Sequence, residues 1–140
     1  MKQKSYVMIK PEFANQPLVI AEVEKRIEAM GLKIIKKCFV RYDKESAAAH
    51  YAEHVGKEMY PNLERYITSD RALGMIVEGE DAIKKIRAIV GSTMNPAEGT
   101  IRYDIPIMLG IERRITENVV HASDSPESAE REIEIFEKSL

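Results

Sequence analysis

One stretch near the end of the sequence combines a histidine with small and polar neighbours. The segment NVVHASDS, residues 118–125, places His121 after two valines and shortly before Ser123 and Asp124. A histidine in this setting can be a structural hydrogen-bonding group, a metal ligand, a general base or a nucleophile. The residue types alone leave all four roles open.

Cationic side chains occur in three other stretches that could contribute to the same chemistry. Lys10 ends the apolar stretch SYVMIK, Arg87 lies in EDAIKKIRAIVG with Thr93 just beyond it, and Arg102 lies in GTIRYD. Each residue by itself is typical of a solvated surface, but together they could bind phosphate groups. The net charge is −2, so local cations rather than the overall field would have to hold an anion.

A metal site is a competing interpretation of the histidines. His50 and His54 in HYAEH are four residues apart, and this spacing would place both on one face of a helix. No cluster of Cys, Asp or Glu elsewhere in the sequence completes a tetrahedral site around them. The sequence therefore disfavours structural zinc.

Length and composition restrict the class of protein. The 140 residues, 44% hydrophobic and 31% charged, predict one compact domain over residues 1–140. No apolar run approaches the about 20 residues that a membrane helix needs, and Pro11 interrupts any signal-peptide core. We expect a cytoplasmic protein without a membrane partner, in which the single Cys38 lies buried in a strand. The slight acidity and the lack of paired strand aromatics also argue against a specific nucleic-acid partner.

The hydrophobic pattern predicts alternating strands and helices. Ile34, Cys38 and Val40 should share one side of the second strand, and Asp43 and Ser125 should cap the helices that follow them. From residue 91 to about 116 the pattern is irregular, which predicts a long loop of the kind that is often functional. The predicted strands are 5–10, 32–43, 72–79 and 117–123, and the predicted helices are 18–30, 44–55, 61–67, 80–91 and 126–138.

This order of elements predicts an α/β (α+β) protein of the ferredoxin-like type, βαββαβ. Two split βαβ units would form an antiparallel four-stranded sheet with helices on one face. A helical hairpin would be inserted after the second strand. The long loop would precede the strand that carries His121 and would line the active site.

Several stretches of the chain, in order, resemble the nucleoside diphosphate kinases over almost the full length. They are MIKPE, EVEKRIEAMGLKI, HYAEH, VEGEDAIKKIR, GSTMNP, GTIRYD and NVVHASDSPESAEREI. The last is the most specific, because the family carries its phosphorylated histidine after an asparagine and two apolar residues and before a small residue and Ser-Asp. On these motifs, the chain resembles this family of kinases.

The resemblance implies a reaction. The γ-phosphate of a nucleoside triphosphate such as ATP would pass to a nucleoside diphosphate by a ping-pong mechanism, through a phosphohistidine at His121. Glu132 would fix the tautomer of this imidazole, Ser123 would support Glu132, and Lys10 would neutralise the transferred phosphate. The alternative is a nucleotide-binding or interaction protein that keeps the fold with reduced or lost turnover.

The resemblance also implies contacts with ligands and partners. Nucleoside triphosphates and diphosphates would bind with Mg²⁺, which the phosphates and water would mainly hold, with no direct protein ligand and with Asp124 as a contact through water. Further copies of the chain would form a homo-oligomer, a tetramer or a hexamer. The implied nucleotide-binding residues are Lys10, Tyr51, His54, Met59, Leu63, Arg87, Thr93, Arg102 and Asn118.

The chain departs from the family pattern mainly between residues 94 and 117. Tyr103 replaces a glycine, and a tyrosine would be strained there if the position requires positive φ. Met94 is an extra residue in GSTMNP, NPAEGT is shorter than usual, and IERRITE adds residues, with Glu117 where an arginine is common. Outside this segment, Met59 stands where an aromatic usually stacks on the base. These differences predict a remodelled loop and leave the base preference and subunit number open.

Overall fold

The computed structural model describes residues 2–112 and 118–140. Its strands are β1 (Lys2–Ile9), β2 (Lys33–Val40), β3 (Ala72–Glu80) and β4 (Val120–Ala122). Its helices are α1 (Pro11–Ala14), α2 (Pro17–Ala29), α3 (Lys44–His50), α4 (Tyr60–Thr68), α5 (Ala82–Val90), α6 (Ile101–Leu109) and α7 (Pro126–Lys138), with a 3₁₀ turn at Ala52–His54. Each strand and helix that the sequence predicts has a counterpart among these elements.

The four strands form one antiparallel sheet in the order β2-β3-β1-β4. Strands β1 and β2, which α2 connects, lie on either side of β3. Strands β3 and β4 likewise lie on either side of β1. This interleaving of two βαβ units confirms the predicted ferredoxin-like fold.

Helices cover both faces of the sheet, and the prediction that they cover one face is wrong. All residues from Tyr6 to Ile9 are completely buried. Val7 and Ile9 pack in a first core with α2, α5 and α6, whereas Tyr6 and Met8 pack in a second core with α3, α4 and α7. Successive strand residues point to opposite faces, and both sets are apolar in β1, so each face needs its own layer of helices.

A bulge in β2 changes which side chains share a face. Ile34 pairs with Val77, but Lys36 already pairs with Ile76, so one extra residue is inserted between them. Ile34 therefore packs against the first core while Val40 lies in the second. The sequence pattern placed Ile34, Cys38 and Val40 on one side because a bulge leaves no mark on simple alternation. The thiol of Cys38 is exposed, so the expectation of a buried cysteine is also wrong.

The segment predicted as a continuous irregular loop contains α6. Pro106 lies inside this helix, and such an interior proline is what made the sequence read as non-helical. Ile101 and Ile105, four residues apart, anchor the helix in the first core. Tyr103 is helical and carries no backbone strain, because Asp81 is the one non-glycine residue with positive φ in the described ranges. The expected changes at residues 113–117, Glu117 included, lie outside the described residues.

Two helix caps agree with the sequence and place the helices that flank the second core. The carboxylate of Asp43 accepts a hydrogen bond from the Ser46 amide at 2.8 Å, and Ser125 caps α7 through the Ser128 amide at 3.1 Å. Both form capping boxes, because the third residue of each helix bonds back to the cap. By contrast α3 ends at His50, earlier than predicted, so His54 lies on the separate 3₁₀ turn.

No helix in the described parts of the chain combines the length and apolar character required to span a bilayer.

We predict that Gly74→Ala lowers the free energy of unfolding by about 1–3 kcal/mol, because the core has no room for the added methyl group and becomes overpacked. A Cβ at Gly74 would lie 2.5 Å from a ring carbon of Phe136 and 2.6 Å from the Tyr6 hydroxyl oxygen. Urea unfolding of the variant and the parent measures the change. Adding Phe136→Leu to the variant should restore part of the loss, and an unchanged midpoint for Gly74→Ala would contradict this packing.

Candidate functional site

The short strand β4 turns His121 toward the second core. Its neighbours Val120 and Ala122 belong to the first core, so His121 points to the opposite face, where it pairs in register with Met8. There the His121 Nε2 atom lies 2.9 Å from the Oε1 atom of Glu132 on α7. The carboxylate oxygen is out of line with the ring N–H, so the contact is a close approach rather than an aligned hydrogen bond.

Ser123 connects this carboxylate to the sheet. Its hydroxyl donates to Glu132 Oε1 at 2.7 Å and accepts from the Tyr6 amide at 3.1 Å. Ser123 is completely buried and Glu132 is 3% exposed, so the link is shielded from solvent. Burial raises the pKa of Glu132. The serine thus ties α7 to β1 and holds the carboxylate behind the imidazole.

Lys10 lies at the end of β1, beside the segment that enters β4. Its backbone amide donates to the carbonyl of Val119 at 3.0 Å, and its Nζ donates to Asn118 Oδ1 at 2.6 Å. Burial, together with the charge of Arg102, lowers the pKa of Lys10 to about 7. Burial removes water from the ammonium group and makes the charged form costly, which is the main physical cause of this shift.

Arg102 on α6 joins three segments of the chain. Its guanidinium donates to the carbonyls of Gly91 at 2.8 Å and Val120 at 3.0 Å, and to the Thr93 hydroxyl at 3.2 Å. Burial and the charge of Arg87 lower its pKa to about 10. Arg102 therefore has a structural role besides its positive charge, because it orients the backbone that leads into His121.

These side chains converge on a cavity of about 150 Å³. A larger groove of about 610 Å³ runs between the start of β1 and α7, but it contains none of the residues described above. The smaller cavity is the candidate site because the imidazole and two buried cations meet there. Its lining residues are Lys10, Tyr51, His54, Met59, Leu63, Thr93, Arg102, Asn118 and His121.

Two of the residues that the sequence singled out lie beside the cavity rather than in its wall. Arg87 is exposed on α5, and its charge contributes to lowering the pKa of Arg102 and of His121. Asp124 accepts a hydrogen bond from the Ser128 hydroxyl at 2.7 Å, which is the main reason why its pKa is lowered. Both residues act on the site at a distance, through charge.

The electrostatics keep the His121 imidazole neutral. Burial lowers its pKa well below the usual value, and the charges of Lys10 and Arg102 add to this effect. A neutral imidazole carries one N–H and one lone pair. When the N–H is on Nε2, beside the Glu132 carboxylate, the lone pair is on Nδ1. The arrangement can therefore supply a nucleophile without prior removal of a proton.

His50 does not line the cavity but contacts His121, and the sequence reasoning placed it elsewhere. The pairing of His50 with His54 is wrong, because His50 is buried at the end of α3 with its ring centroid 4.6 Å from that of His121. His54 lies instead in the wall of the cavity. The one signal in the sequence was that His50 directly precedes Tyr51, a residue that the resemblance assigned to nucleotide binding.

Comparison with known proteins agrees with this geometry. The family model for nucleoside diphosphate kinase matches residues 3–139. Nucleoside diphosphate kinases of Methanobrevibacter smithii and Archaeoglobus fulgidus are 45% and 47% identical to this chain. The matches cover 97% and 96% of this chain and 87% and 85% of the two relatives.

A solved structure shows the same likeness in three dimensions. The halophilic nucleoside diphosphate kinase from Halobacterium salinarum, in complex with CDP, superposes with a TM-score of 0.86 at 35% identity. The match covers 97% of this chain and 88% of that one. With the match of the family model over residues 3–139, these similarities show that the chain belongs to the nucleoside diphosphate kinase family, enzymes of phosphate transfer between nucleotides.

Proposed function

We propose that the enzyme transfers the γ-phosphate of a nucleoside triphosphate to a nucleoside diphosphate through a phosphohistidine at His121. The observation that carries this proposal is the position of His121 between a carboxylate and two basic side chains. Behind the ring, Glu132 Oε1 lies 2.9 Å from Nε2, and in front of it Lys10 and Arg102 line the same cavity.

In the first half-reaction the lone pair of His121 Nδ1 attacks the γ-phosphorus. The new N–P bond forms as the P–O bond to the β-phosphate breaks, and the nucleoside diphosphate leaves with that oxygen. Positive charge develops on the ring, and the Glu132 carboxylate beside Nε2 stabilises it. A second nucleoside diphosphate then attacks the phosphohistidine, and the neutral imidazole is restored.

Catalysis of this step depends on positioning and on stabilisation of negative charge. Lys10 and Arg102 supply positive charge in the cavity, and Arg87 adds to it from α5. Tyr51, Thr93 and Asn118 supply hydrogen-bonding groups toward the phosphates and the sugar, with His54 in the wall near them. Ser123 acts as a positioning residue through Glu132.

The base would lie between Met59 and Leu63, which also line the cavity. Both side chains offer apolar surface, and Met59 is 38% exposed, so it is accessible to a ligand. A thioether stacks less well than an aromatic ring but still gives a polarisable contact. Such a clamp contacts the face of a base rather than its edge, which supports acceptance of several bases.

The residues fit a Mg²⁺ ion that arrives with the nucleotide. No carboxylate lines the cavity among the described residues, so the protein offers no complete cage of oxygen ligands. The phosphates and water would hold the ion, with Asp124 beside the cavity as a contact through water. When bound, Mg²⁺ neutralises part of the phosphate charge.

We further propose that residues 1–140 work as one kinase domain in the cytoplasm. The exposed thiol of Cys38 supports this location, because a free surface cysteine is typical of a reducing compartment.

A homo-oligomer, a tetramer or a hexamer, is supported by exposed apolar side chains on separate elements. They are Leu18 at the start of α2, which is 74% exposed, Ile35 and Phe39 on the edge strand β2, and Ile107 and Met108 on α6. Two separate self-contacts of this kind can build an assembly larger than a dimer.

We predict that His121→Ala abolishes the phosphoenzyme while the protein remains folded. After incubation with ATP and Mg²⁺, intact mass spectrometry should show one acid-labile phosphoryl group on the wild type and none on the variant. A nucleoside diphosphate should discharge the wild-type form. His54→Ala is the matched control, since His54 also lines the cavity but forms no ion pair with a carboxylate of the described residues, and the variant should still be phosphorylated. A phosphorylated His121→Ala protein would disprove the assignment.

We predict that nucleotide binding at pH 8 is coupled to proton uptake by Lys10. With a pKa of about 7 in the free protein, Lys10 is mostly neutral at pH 8. Bound phosphates favour its charged form and raise this pKa, so binding takes up a proton and weakens as the pH rises above 7. Titration calorimetry in buffers of different ionisation enthalpy measures the uptake. Lys10→Gln should remove it, and equal uptake in both proteins would contradict the prediction.

We predict that Leu18→Glu combined with Ile35→Glu reduces the molar mass of the assembly, because burying two carboxylates in an apolar contact is unfavourable. Light scattering coupled to size-exclusion chromatography measures the mass. Leu140→Glu is the control, since Leu140 is also exposed but lies at the chain end, and its mass should not change. A monomeric wild type, or an unchanged mass for the double variant, would exclude this interface.

A further inference from the structure

The proposed nucleophile and two side chains behind it form a compact group of potential metal ligands. His50, His121 and Glu132 each offer one ligand atom, and these atoms all lie within 4.8 Å of one another. His50 comes from α3, His121 from β4 and Glu132 from α7, so only the tertiary fold brings them together. We refer to these three residues as the His50–His121–Glu132 cluster.

Three of the four ring nitrogens of this cluster have no hydrogen-bond partner among the described residues. Within the described residues, neither ring nitrogen of His50 has one, and the same is true of His121 Nε2. His50 is 2% exposed, so water does not replace the missing partners from outside. A buried polar group without a partner is unfavourable, and nearly all such groups in folded proteins are satisfied in some way. A ligand that accepts one lone pair from each imidazole would satisfy one nitrogen of His50 and the Nε2 atom of His121.

We propose that the His50–His121–Glu132 cluster binds a Zn²⁺ ion. Two imidazoles and one carboxylate are a typical set of three protein ligands for zinc, with water in the fourth position. Glu132 Oε1 already lies 2.9 Å from His121 Nε2, close to the separation of two ligands on one tetrahedral ion. His50 has to approach through a side-chain adjustment. The His121 side chain is 18% exposed, and the cavity beside it gives the ion a route of entry.

The cluster is distinct from the place where Mg²⁺ would act. Mg²⁺ prefers oxygen ligands and octahedral geometry, whereas nitrogen-rich sites select zinc and its neighbours among the transition metals. Zinc would bind behind His121, on the Nε2 side, and the nucleotide would bind in front of it.

Zinc binding and phosphorylation exclude each other in this arrangement, an inference that rests on the proposed function. A metal on Nε2 occupies that lone pair and moves the ring proton to Nδ1, which then has no lone pair for phosphorus. Phosphorylation at Nδ1 in turn leaves a proton on Nε2 beside Glu132, and a metal has to displace this proton to bind. Zinc therefore holds the enzyme in a form that cannot be phosphorylated, and the phosphoenzyme binds zinc more weakly.

Zinc affinity of the full chain tests the site directly. The metal-free protein is titrated with Zn²⁺ in competition with a chromophoric chelator, and folding of each variant is checked by circular dichroism. We expect His50→Gln to weaken Zn²⁺ binding by at least about tenfold, in line with the loss of a metal ligand. Glu132→Gln should weaken it as well and provides a second test if His50→Gln does not fold.

The chain offers matched controls, because it has three histidines and one cysteine. His54→Gln and Cys38→Ser each remove another potential zinc ligand and should bind Zn²⁺ with wild-type affinity. Equal affinity in the wild type and the cluster variants would overturn the site. Loss of binding in a control instead would also overturn it, because the ion would then be elsewhere.

A comparison of phosphorylated and unphosphorylated protein tests the exclusion. The enzyme is phosphorylated with ATP and Mg²⁺ and freed of nucleotide and metal, and we expect it to bind Zn²⁺ at least tenfold more weakly than before. His50→Gln should still form the phosphoenzyme, but Zn²⁺ should no longer prevent it. Equal Zn²⁺ affinity of both forms would overturn the exclusion. If the zinc-free wild type forms no phosphoenzyme with ATP and Mg²⁺, the proposed function fails, and the His50→Gln titration still decides the zinc site.

Discussion

The two-sided burial of β1 is the constraint on which the rest of the structure depends. Its residues Tyr6–Ile9 are inaccessible on both faces, so the sheet needs a helical layer on each side. Because β4 pairs with β1, the register of β1 decides the face on which each β4 side chain lies. His121 consequently faces α7 and the buried Glu132, whereas Val120 and Ala122 complete the opposite core.

The site that results combines buried positive charge in front of the imidazole with a carboxylate behind it. Lys10 and Arg102 line a cavity whose described residues include no carboxylate, and burial together with a neighbouring positive charge lowers the pKa of both. A bound phosphate group brings negative charge to this wall and favours the charged form of both side chains.

The same layer of helices explains how a histidine outside the kinase chemistry comes to contact the reactive one. His50 ends α3, and α3 packs against the α7 helix that carries Glu132. Two buried imidazoles and one carboxylate thus share a small volume. Phosphoryl transfer needs the His121 ring proton on Nε2, whereas a metal on Nε2 needs it on Nδ1. A nucleotide phosphate and a metal ion therefore compete for the same imidazole.

Much of the fold was predictable because local patterns agree with tertiary contacts. The caps Asp43 and Ser125 and the amphipathic helices follow from short-range preferences, and the chain order of strands and helices led to the correct topology. The misplaced features depend on long-range contacts. Pro106 made the segment of α6 look non-helical, although its buried isoleucines hold this helix in the core. The bulge in β2 moved Ile34 to the opposite face from Val40, and the alternation of residue types does not show such a shift.

By itself, the sequence determined most of the elements and their order, although it predicted neither α1 nor α6, and its resemblance to a kinase family indicated most of the residues that line one cavity. Only the tertiary structure decided that helices cover both faces, that Arg102 braces the backbone as well as carrying charge, and that His50 lies against His121 rather than beside His54. The physical reason is that residue spacing encodes a direction within one element. The distance between two elements depends on packing across the whole core.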